Sequence, residues 1–322
     1  MDRRRFLRTT AMAGAGLVLS PASSIAAPKL ARMAPDGARR GGCLWGAHAE
    51  PKGNQTARTA ITDLEGEIER TIALSRHYVK WDYELPDGFQ AWSVEGGRIP
   101  YISWHAVTLD GATVPWGSIA DGEHDDWIRH QARALRQAEY RMYFCFHHEP
   151  EDDLDNGGPA EFAAAYSRIR DLFRSEDVRN LRWIVTLMAS TYRGGHGGPE
   201  IWMPSSFRLC GVDGYNRYPC DGTSWRPFKA LFRPARRFAR SIGKGLFIGE
   251  YGCVEDHGEG QDSGAKAEWF RQAGATMKAW PDVEAAIYSH VFSERYGCAY
   301  WVDTSQSSLE AFTEVGLDPY FT

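Results

Sequence analysis

Residues 142–150 read MYFCFHHEP, and residues 246–252 read LFIGEYG. Each stretch begins with a short apolar run and then reaches a glutamate, Glu149 in the first and Glu250 in the second. Such runs are typical of parallel strands that are buried on both faces. The two glutamates are about three β/α units of roughly 34 residues apart, a spacing that fits two strands of one (β/α)8 barrel.

Six further apolar runs complete a set of eight predicted strands, at residues 43–47, 77–81, 99–104, 142–146, 182–188, 209–213, 246–249 and 285–291. Amphipathic stretches lie between them, the clearest at residues 159–173, where apolar residues recur at helical spacing. Alternating strands and helices over about 280 residues predict an α/β protein with a single (β/α)8 TIM-barrel domain. A doubly wound open sheet is the alternative, although no Gly-x-Gly-x-x-Gly follows the first strand.

Composition narrows the classes of partner. The 322 residues carry a formal net charge of −5, so no global charge attracts nucleic acid or an anionic membrane. Twelve Trp and fourteen Tyr form a heavy aromatic load, which serves either packing or the stacking of sugar rings. Composition therefore indicates an ordinary globular protein and does not choose between these two roles of the aromatic residues.

The N-terminus has the pattern of an export signal. Arg3, Arg4 and Arg5 precede Phe-Leu and an apolar run at residues 11–19, and Ser24-Ile25-Ala26 follows as a small-residue cleavage site. The paired arginines resemble a twin-arginine signal. We therefore predict a signal peptide at 1–27, a linker at 28–41 and the barrel at 42–322. The mature protein is expected to be secreted or periplasmic, with no membrane association after signal cleavage.

Six cysteines in an exported chain permit disulfide bonds. Cys145 lies within an apolar run and is predicted to be a buried thiol. Connectivity cannot be derived from a sequence, but position suggests the pairs Cys210–Cys220 and Cys253–Cys298.

The two glutamates match the chemistry of glycoside cleavage. The carboxyl ends of barrel strands form the active face, and both glutamates lie at predicted strand ends. A retaining glycosidase needs one carboxylic acid to protonate the leaving oxygen and one carboxylate to attack the anomeric carbon. The environments of these two groups must push their pKa values apart.

His148-Glu149, Glu250 and Tyr215, which stands at the end of the sixth strand, resemble glycoside hydrolase family 26, a β-mannanase-centred family of retaining (β/α)8 enzymes. The resemblance implies that Glu149 is the acid/base and Glu250 the nucleophile. It also implies that Tyr215 hydrogen-bonds the nucleophile and that His148 binds the sugar or orients the site.

Two features depart from the family pattern. Members carry an Arg two or three residues before the His-Glu pair, where this chain has Cys145 and Phe146. They also carry a Trp soon after the pair, where this chain has PEDD at 150–153. Trp301, beyond the eighth strand, is the remaining candidate for the family's sugar-stacking Trp. These departures bear on the choice of sugar more than on the catalytic pair.

Other predicted strand ends supply further candidate substrate-binding residues, namely Trp81, Trp104 and His105. The expected function is that of a secreted retaining endo-β-glycosidase acting on a β-linked polysaccharide, β-1,4-mannan or a related glucan or xylan. It needs no cofactor, no metal and no nucleic acid, and it acts as a monomer.

Two alternatives stay open: a catalytically inactive barrel that only binds glycan, and a metal-dependent barrel hydrolase whose histidines converge. Poor metal-ligand spacing weakens the second.

Overall fold

Eight parallel strands close into a barrel in chain order, β1 through β8, with β1 paired to β8. This arrangement was obtained as a computed structural model that describes residues 42–258 and 261–322. Helices follow the strands and cover the outside of the barrel. The predicted (β/α)8 fold is confirmed, whereas the predicted signal peptide at 1–27 and linker at 28–41 lie outside the described residues.

The strands are β1 Leu44–Ala49, β2 Leu74–Val79, β3 Ile99–Trp104, β4 Met142–Phe146, β5 Leu181–Met188, β6 Leu209–Asn216, β7 Gly245–Cys253 and β8 Val283–His290. The helices are α1 Ala57–Glu67, α2 Gly88–Glu95, α3 Trp116–Asp121, α4 Asp125–Gln137, α5 Pro159–Ser175, α6 Phe228–Ser241, α7 Ala265–Lys278 and α8 Gln306–Leu317. A short hairpin, β9 Phe292–Ser293 with β10 Cys298–Ala299, follows β8. Short 3-10 turns, with no α-helix, connect β5 to β6.

Strand side chains alternate between the barrel interior and the helical layer, as the period of a strand requires. On β2, Leu74 joins the interior cluster, whereas Ser75 faces outward and hydrogen-bonds Ser93 of α2 at 2.8 Å. Inside the barrel, Tyr101 and Tyr143 pack on Phe247 with ring centroids 4.9 and 5.2 Å apart. The interior is therefore packed, and only its upper end can open towards substrate.

The lower end of the barrel is closed by a polar group. Glu284 of β8 accepts a hydrogen bond from the Tyr143 hydroxyl at 2.6 Å and pairs with Arg182 at 2.7 Å. This cluster lies at the amino ends of the strands, away from the face on which active sites of such barrels form.

Two residues that were predicted to bind substrate, Trp104 and Trp81, lie in the core instead. On β3, Ile102 and Trp104 face the helices, and Trp104 is fully buried. Trp81 follows β2, which ends at Val79, two residues earlier than predicted. The two indoles stack on each other at 4.4 Å with their planes 7° apart, so they form part of the core.

One disulfide bond joins Cys220, in the loop after β6, to Cys298, in the loop after β8. The predicted pairs Cys210–Cys220 and Cys253–Cys298 are therefore wrong. Cys210 and Cys253 lie on strands β6 and β7, face the helical layer and are buried as free thiols. Cys145 is a buried thiol, as predicted.

Within the described residues, no helix has both the length and the apolar character that crossing a membrane requires.

Candidate active site

The end of β4 carries two residues in an unusual backbone conformation. His147 and Glu149 have φ values of 47° and 50°, in the left-handed region that non-glycine residues rarely adopt. The His147 ring, turned away from the barrel axis, accepts a hydrogen bond from the Ala106 amide at 3.2 Å and donates one to Asp153 at 2.8 Å. The Glu149 amide donates to the Thr186 carbonyl at 3.0 Å. These contacts hold a strained turn, and such strain is concentrated at functional sites.

The end of β7 carries a β-bulge that re-aims Glu250. Strand β6 pairs Val212 with Ile248 and then Asp213 with Glu250, so that Gly249 is an extra residue on β7. Strict alternation would turn Glu250 outward with Ile248, but the extra residue turns it into the barrel mouth. A Cβ at Gly249 would collide with Asp213 Oδ1, so only glycine fits here.

Glu250 is held by three donors. Arg76 of β2 forms an ion pair with its Oε1 at 2.7 Å, and the Tyr78 hydroxyl donates to the same oxygen at 2.8 Å. The Tyr215 hydroxyl donates to Oε2. Burial raises the pKa of Glu250, but the Arg76 charge and the two tyrosine hydrogen bonds outweigh it and hold this pKa below its usual value. Glu250 is therefore ionised.

The Arg76 guanidinium is completely buried between the rings of Tyr78 and Tyr101, with centroids at 4.5 and 4.9 Å. It donates a second hydrogen bond to the Gly249 carbonyl at 2.9 Å. Asp213 lies 3.5 Å from it, but burial and the neighbouring charge of Glu250 raise the pKa of Asp213 well above its usual value. Arg76 thus serves Glu250 as its main counter-charge.

The pKa of Glu149 is shifted in the opposite direction to that of Glu250. Burial, and then the negative charges of Glu250 and Glu151, raise its pKa to about 8. Within residues 42–258 and 261–322 no side chain or amide hydrogen-bonds its carboxyl group, and no cation forms an ion pair with it. Glu149 therefore carries a proton at neutral pH, beside an ionised Glu250.

Two of the predicted histidines form part of the same site. His148 Nδ1 lies 2.7 Å from Ser103 Oγ and 2.6 Å from His105 Nε2, and its Nε2 is 3.7 Å from Glu250. Burial, followed by the charges of His105 and Arg76, lowers the pKa of His148 well below its usual value. His148 is neutral and links His105 to the glutamate pair.

An open cleft of about 520 Å³ lies above these groups. Its walls include Glu149, Glu250, His48 and several aromatic rings, those of Tyr78, Tyr215, Tyr296, Tyr300 and Phe292. A second cavity of about 280 Å³ shares Tyr78, Glu149 and Glu250 with the first and adds His105 and His148. Space for a ligand therefore extends to both sides of the two glutamates.

The structure brings together Glu149, Glu250, His148, His105 and Tyr215, all of which were predicted from the sequence. It does not bring the predicted tryptophans to the cleft. Trp81 and Trp104 are core residues, and the Trp301 ring lies outside the cleft wall, 5.9 Å from Phe292 and under the ammonium of Lys52. The aromatic surface of the cleft consists of tyrosines and Phe292 instead.

Arg76, Tyr78 and Asp213 are the residues that sequence reasoning did not assign to the site. For Arg76 and Tyr78, the sequence pattern that could have identified them is the alternation of β2, in which Leu74, Arg76 and Tyr78 share the inward face. The predicted start of the second strand, at residue 77, excluded Arg76 and concealed that pattern. The arginine that family 26 members carry before the His-Glu pair is absent here, but this guanidinium contacts the nucleophile candidate from another strand.

Among the described residues, two groups of side chains could approach a metal ion: His105 with His147 and Asp153, and His148 with Asp213 and Glu250. In the first, His147 Nδ1 accepts the Ala106 amide, so its Nε2 carries the proton that it donates to Asp153 and has no lone pair for an ion. In the second, the Arg76 cation already neutralises Glu250, and the raised pKa of Asp213 favours its uncharged form. The donor sets therefore do not fit a metal centre.

No protein-family profile matches the sequence. Endoglucanase H of Acetivibrio thermocellus is 22% identical over 286 residues, which cover 81% of this chain. The chain spans only 29% of the length of that relative.

Solved structures with a similar fold include a glycoside hydrolase family 26 β-mannanase from Bacteroides ovatus, with a TM-score of 0.61 and 14% identity over 88% of this chain and 91% of that one. An endo-β-1,4-mannanase of the same family from Cellulomonas fimi has a TM-score of 0.59 and 17% identity over 87% and 72% of the two chains. The resemblance to family 26 predicted from the sequence is thus confirmed in the fold, and the proteins that this chain resembles are glycoside hydrolases.

Proposed function

We propose that this protein is a retaining endo-β-glycosidase that hydrolyses a β-linked polysaccharide. One observation carries the proposal: a protonated Glu149 and an ionised Glu250 share one cleft at the carboxyl end of a (β/α)8 barrel. A pair of carboxyl groups in opposite protonation states is what double-displacement hydrolysis of a glycoside requires.

In the first step, a Glu250 oxygen attacks the anomeric carbon while the Glu149 proton passes to the leaving glycosidic oxygen, and a covalent glycosyl-enzyme forms. In the second step, the ionised Glu149 takes a proton from water, and the resulting hydroxide equivalent displaces Glu250 from the anomeric carbon. The glutamates return to their starting states, and one water is consumed for each bond cleaved. Arg76, Tyr78 and Tyr215 keep Glu250 ionised and oriented before each attack.

Endo action is supported by the shape of the site. The two cavities meet at Glu149 and Glu250, so a polymer can occupy space on both sides of the bond that is cleaved. For the backbone we propose β-1,4-mannan first and β-glucan or xylan next, because solved structures with this fold include β-mannanases and the curated relative is an endoglucanase.

Export is part of the proposal and depends on sequence alone. The twin-arginine pattern at residues 3–8, with the small residues at 24–26, would place the mature protein in the periplasm or outside the cell. There it would meet polysaccharide as a monomer without a cofactor.

The test incubates the purified protein with β-mannan, mixed-linkage β-glucan and xylan and measures new reducing ends. We expect release by the wild type and loss of at least about 1,000-fold in the variant Glu250→Ala. Glu268→Gln, which removes an exposed carboxylate on α7, is the matched control and should keep full activity. The anomeric configuration of the first product, followed by NMR, should be retained.

Inversion of configuration would exclude the double displacement. Binding of these polymers without cleavage would instead identify a barrel that only binds glycan.

A further inference from the structure

Among the residues that the structure describes, Arg217 in the cleft wall forms no ion pair with a carboxylate. Arg217 follows β6 and continues the inward face that carries Asp213 and Tyr215. Its guanidinium packs on the rings of Tyr296 and Tyr215, with centroids at 4.4 and 5.1 Å. The guanidinium also interacts with the Tyr300 hydroxyl, whereas its buried Nε has no hydrogen-bond partner among the described residues. Such a group is a strong donor that is held ready for an acceptor outside the protein.

The contrast with Arg295, the other arginine in the cleft wall, is informative. Arg295 is paired with Asp152 at 2.8 Å, so a carboxylate of the protein already balances its charge. Of the remaining acidic groups nearby, Glu50 accepts the Phe292 amide at 2.9 Å and Asp221 accepts the Thr223 amide and hydroxyl. Glu149 would also act on Arg217 when charged, but its pKa is raised to about 8 and it carries a proton at neutral pH. Among the described residues, none of the three forms an ion pair with Arg217.

Two further arginines are electrostatically linked with Arg217, Arg193 directly and Arg226 through Arg193. Burial, and then the charges of Arg226 and Arg217, lower the pKa of Arg193, so the Arg193 guanidinium is repelled by those of the other two. In the part of the chain that the structure describes, none of the three forms an ion pair with a carboxylate. A neutral sugar hydroxyl would accept a hydrogen bond here, but only an anion would neutralise this charge.

The fold also fixes Arg217 in place. The Cys220–Cys298 bond joins the loop that carries it to the loop that carries Tyr296 and Tyr300. These tyrosines pack with Val254 and Cys298 in a small apolar cluster of their own. A guanidinium held between aromatic rings loses little freedom when it binds a ligand, and its planar fork matches a carboxylate with two parallel hydrogen bonds.

We propose that Arg217 binds the carboxylate of a uronic acid residue, so that the substrate is an acidic β-linked polysaccharide. This inference rests on the proposed glycosidase function and names its substrate class. Arg217 acts in substrate binding, beside the catalytic pair and without a part in the proton transfers.

The experiment compares glucomannan with the same polymer oxidised at C6, which carries uronic acid residues, and with a sulfated glucomannan. The wild type should have a kcat/KM for the oxidised polymer about tenfold to one hundredfold above that for the parent, the value of a hydrogen-bonded charge pair. Arg217→Gln should abolish this ratio, and Arg217→Lys should restore part of it. The ratio is the readout because damage to Tyr215 would lower both rates together.

Arg174→Gln, which removes an exposed arginine on α5, is the control and should keep the wild-type ratio. Higher salt should reduce the ratio. Equal rates on oxidised and parent polymer would overturn the proposal, as would a preference for the sulfated polymer alone.

A second measurement separates this inference from the proposed function. Titration of oxidised and parent glucomannan into Glu250→Ala reports binding without turnover. Tighter binding of the oxidised polymer that depends on Arg217 supports the inference even where no polymer is cleaved. Equal or absent binding contradicts it, even where neutral glucomannan is hydrolysed.

Discussion

Replacing Arg76 by Met tests the electrostatic account of the nucleophile. The guanidinium lies 2.7 Å from Glu250 Oε1 and 2.9 Å from the Gly249 carbonyl oxygen, with no exposure to solvent. Removing one partner of a buried pair costs about 3–5 kcal/mol, because the other charge is left uncompensated. At 1.36 kcal/mol per tenfold, a penalty of about 3 kcal/mol lowers the acid ionisation constant of Glu250 roughly 150-fold.

The sign of the pH effect follows from the groups around Glu250. With Arg76 present, the pKa of Glu250 in the folded protein lies below its usual value of about 4.5. The ion pair between Glu250 and Arg76 therefore stabilises the fold fully above pH 4.5. This stabilisation is lost as the pH falls through the folded-state pKa of Glu250. Without Arg76, burial is opposed by the two tyrosine hydrogen bonds and the charge of His48, so this pKa rises. We expect the acid limb of the kcat/KM profile to move to higher pH, with a fall in rate of up to about one hundredfold on that acid limb and a much smaller fall near neutral pH.

The assay is the initial rate of reducing-end release from pH 4 to 9, with thermal unfolding measured on the same samples. Arg182→Met is the matched control, because it breaks a second arginine–glutamate pair, partly buried, at 2.7 Å from Glu284, at the opposite end of the barrel. It should lower stability and leave the pH profile in place. If Arg76→Met loses stability but keeps the wild-type acid limb, Arg76 has only a structural role and the reasoning is refuted.

Two further predictions concern the same mouth of the barrel. Because the folded pKa of Glu149 is raised to about 8, its contribution to stability falls as pH rises from about 4.5 to 8. Glu149→Gln should lose hydrolysis but have a free energy of unfolding about 2–4 kcal/mol above that of the wild type at pH 8 and no such gain at pH 4.5, as measured by denaturant unfolding. The same difference at both pH values would contradict the assigned proton. A Cβ at Gly252 would lie 2.7 Å from the Tyr215 ring, so Gly252→Ala should displace the Tyr215 hydroxyl from Glu250 and lower kcat about tenfold to one hundredfold. Gly66→Ala, where a Cβ meets nothing within 4 Å, should keep wild-type kcat, and equal kcat in both variants would refute the role of this contact.

The barrel could be predicted because its strands are continuous apolar runs at regular spacing. The convergence of Glu149, Glu250 and Tyr215 could be predicted because each lies at the carboxyl end of such a run. Cysteine pairing could not be predicted, because the loops that carry Cys220 and Cys298 come together only through the closure of the barrel.

Two features of the site are invisible to strand periodicity. A period of two places Glu250 on the outward face with Ile248, and only the pairing with β6 reveals the bulge at Gly249 that turns it inward. The polar Ser75 and Arg76 interrupt the apolar run of β2, so the predicted strand began after the arginine. Trp104 was misplaced for a simpler reason: on β3 it has the parity of Ile102, which faces the helices.

The pKa values of Glu149 and Glu250 differ because the barrel places a positive charge beside only one of them. Arg76 reaches Glu250 across the interior from β2, a strand three positions away around the barrel, and Tyr78 and Tyr215 complete its shell. Glu149, three residues after the end of β4, has buried surroundings and negative neighbours but no ion-pair partner among the described residues. Two residues of the same type therefore hold opposite protonation states because a single guanidinium is committed to one of them. Glu149 keeps its proton up to about pH 8 because no guanidinium pairs with it, and Glu250 loses its proton at an unusually low pH because Arg76 does.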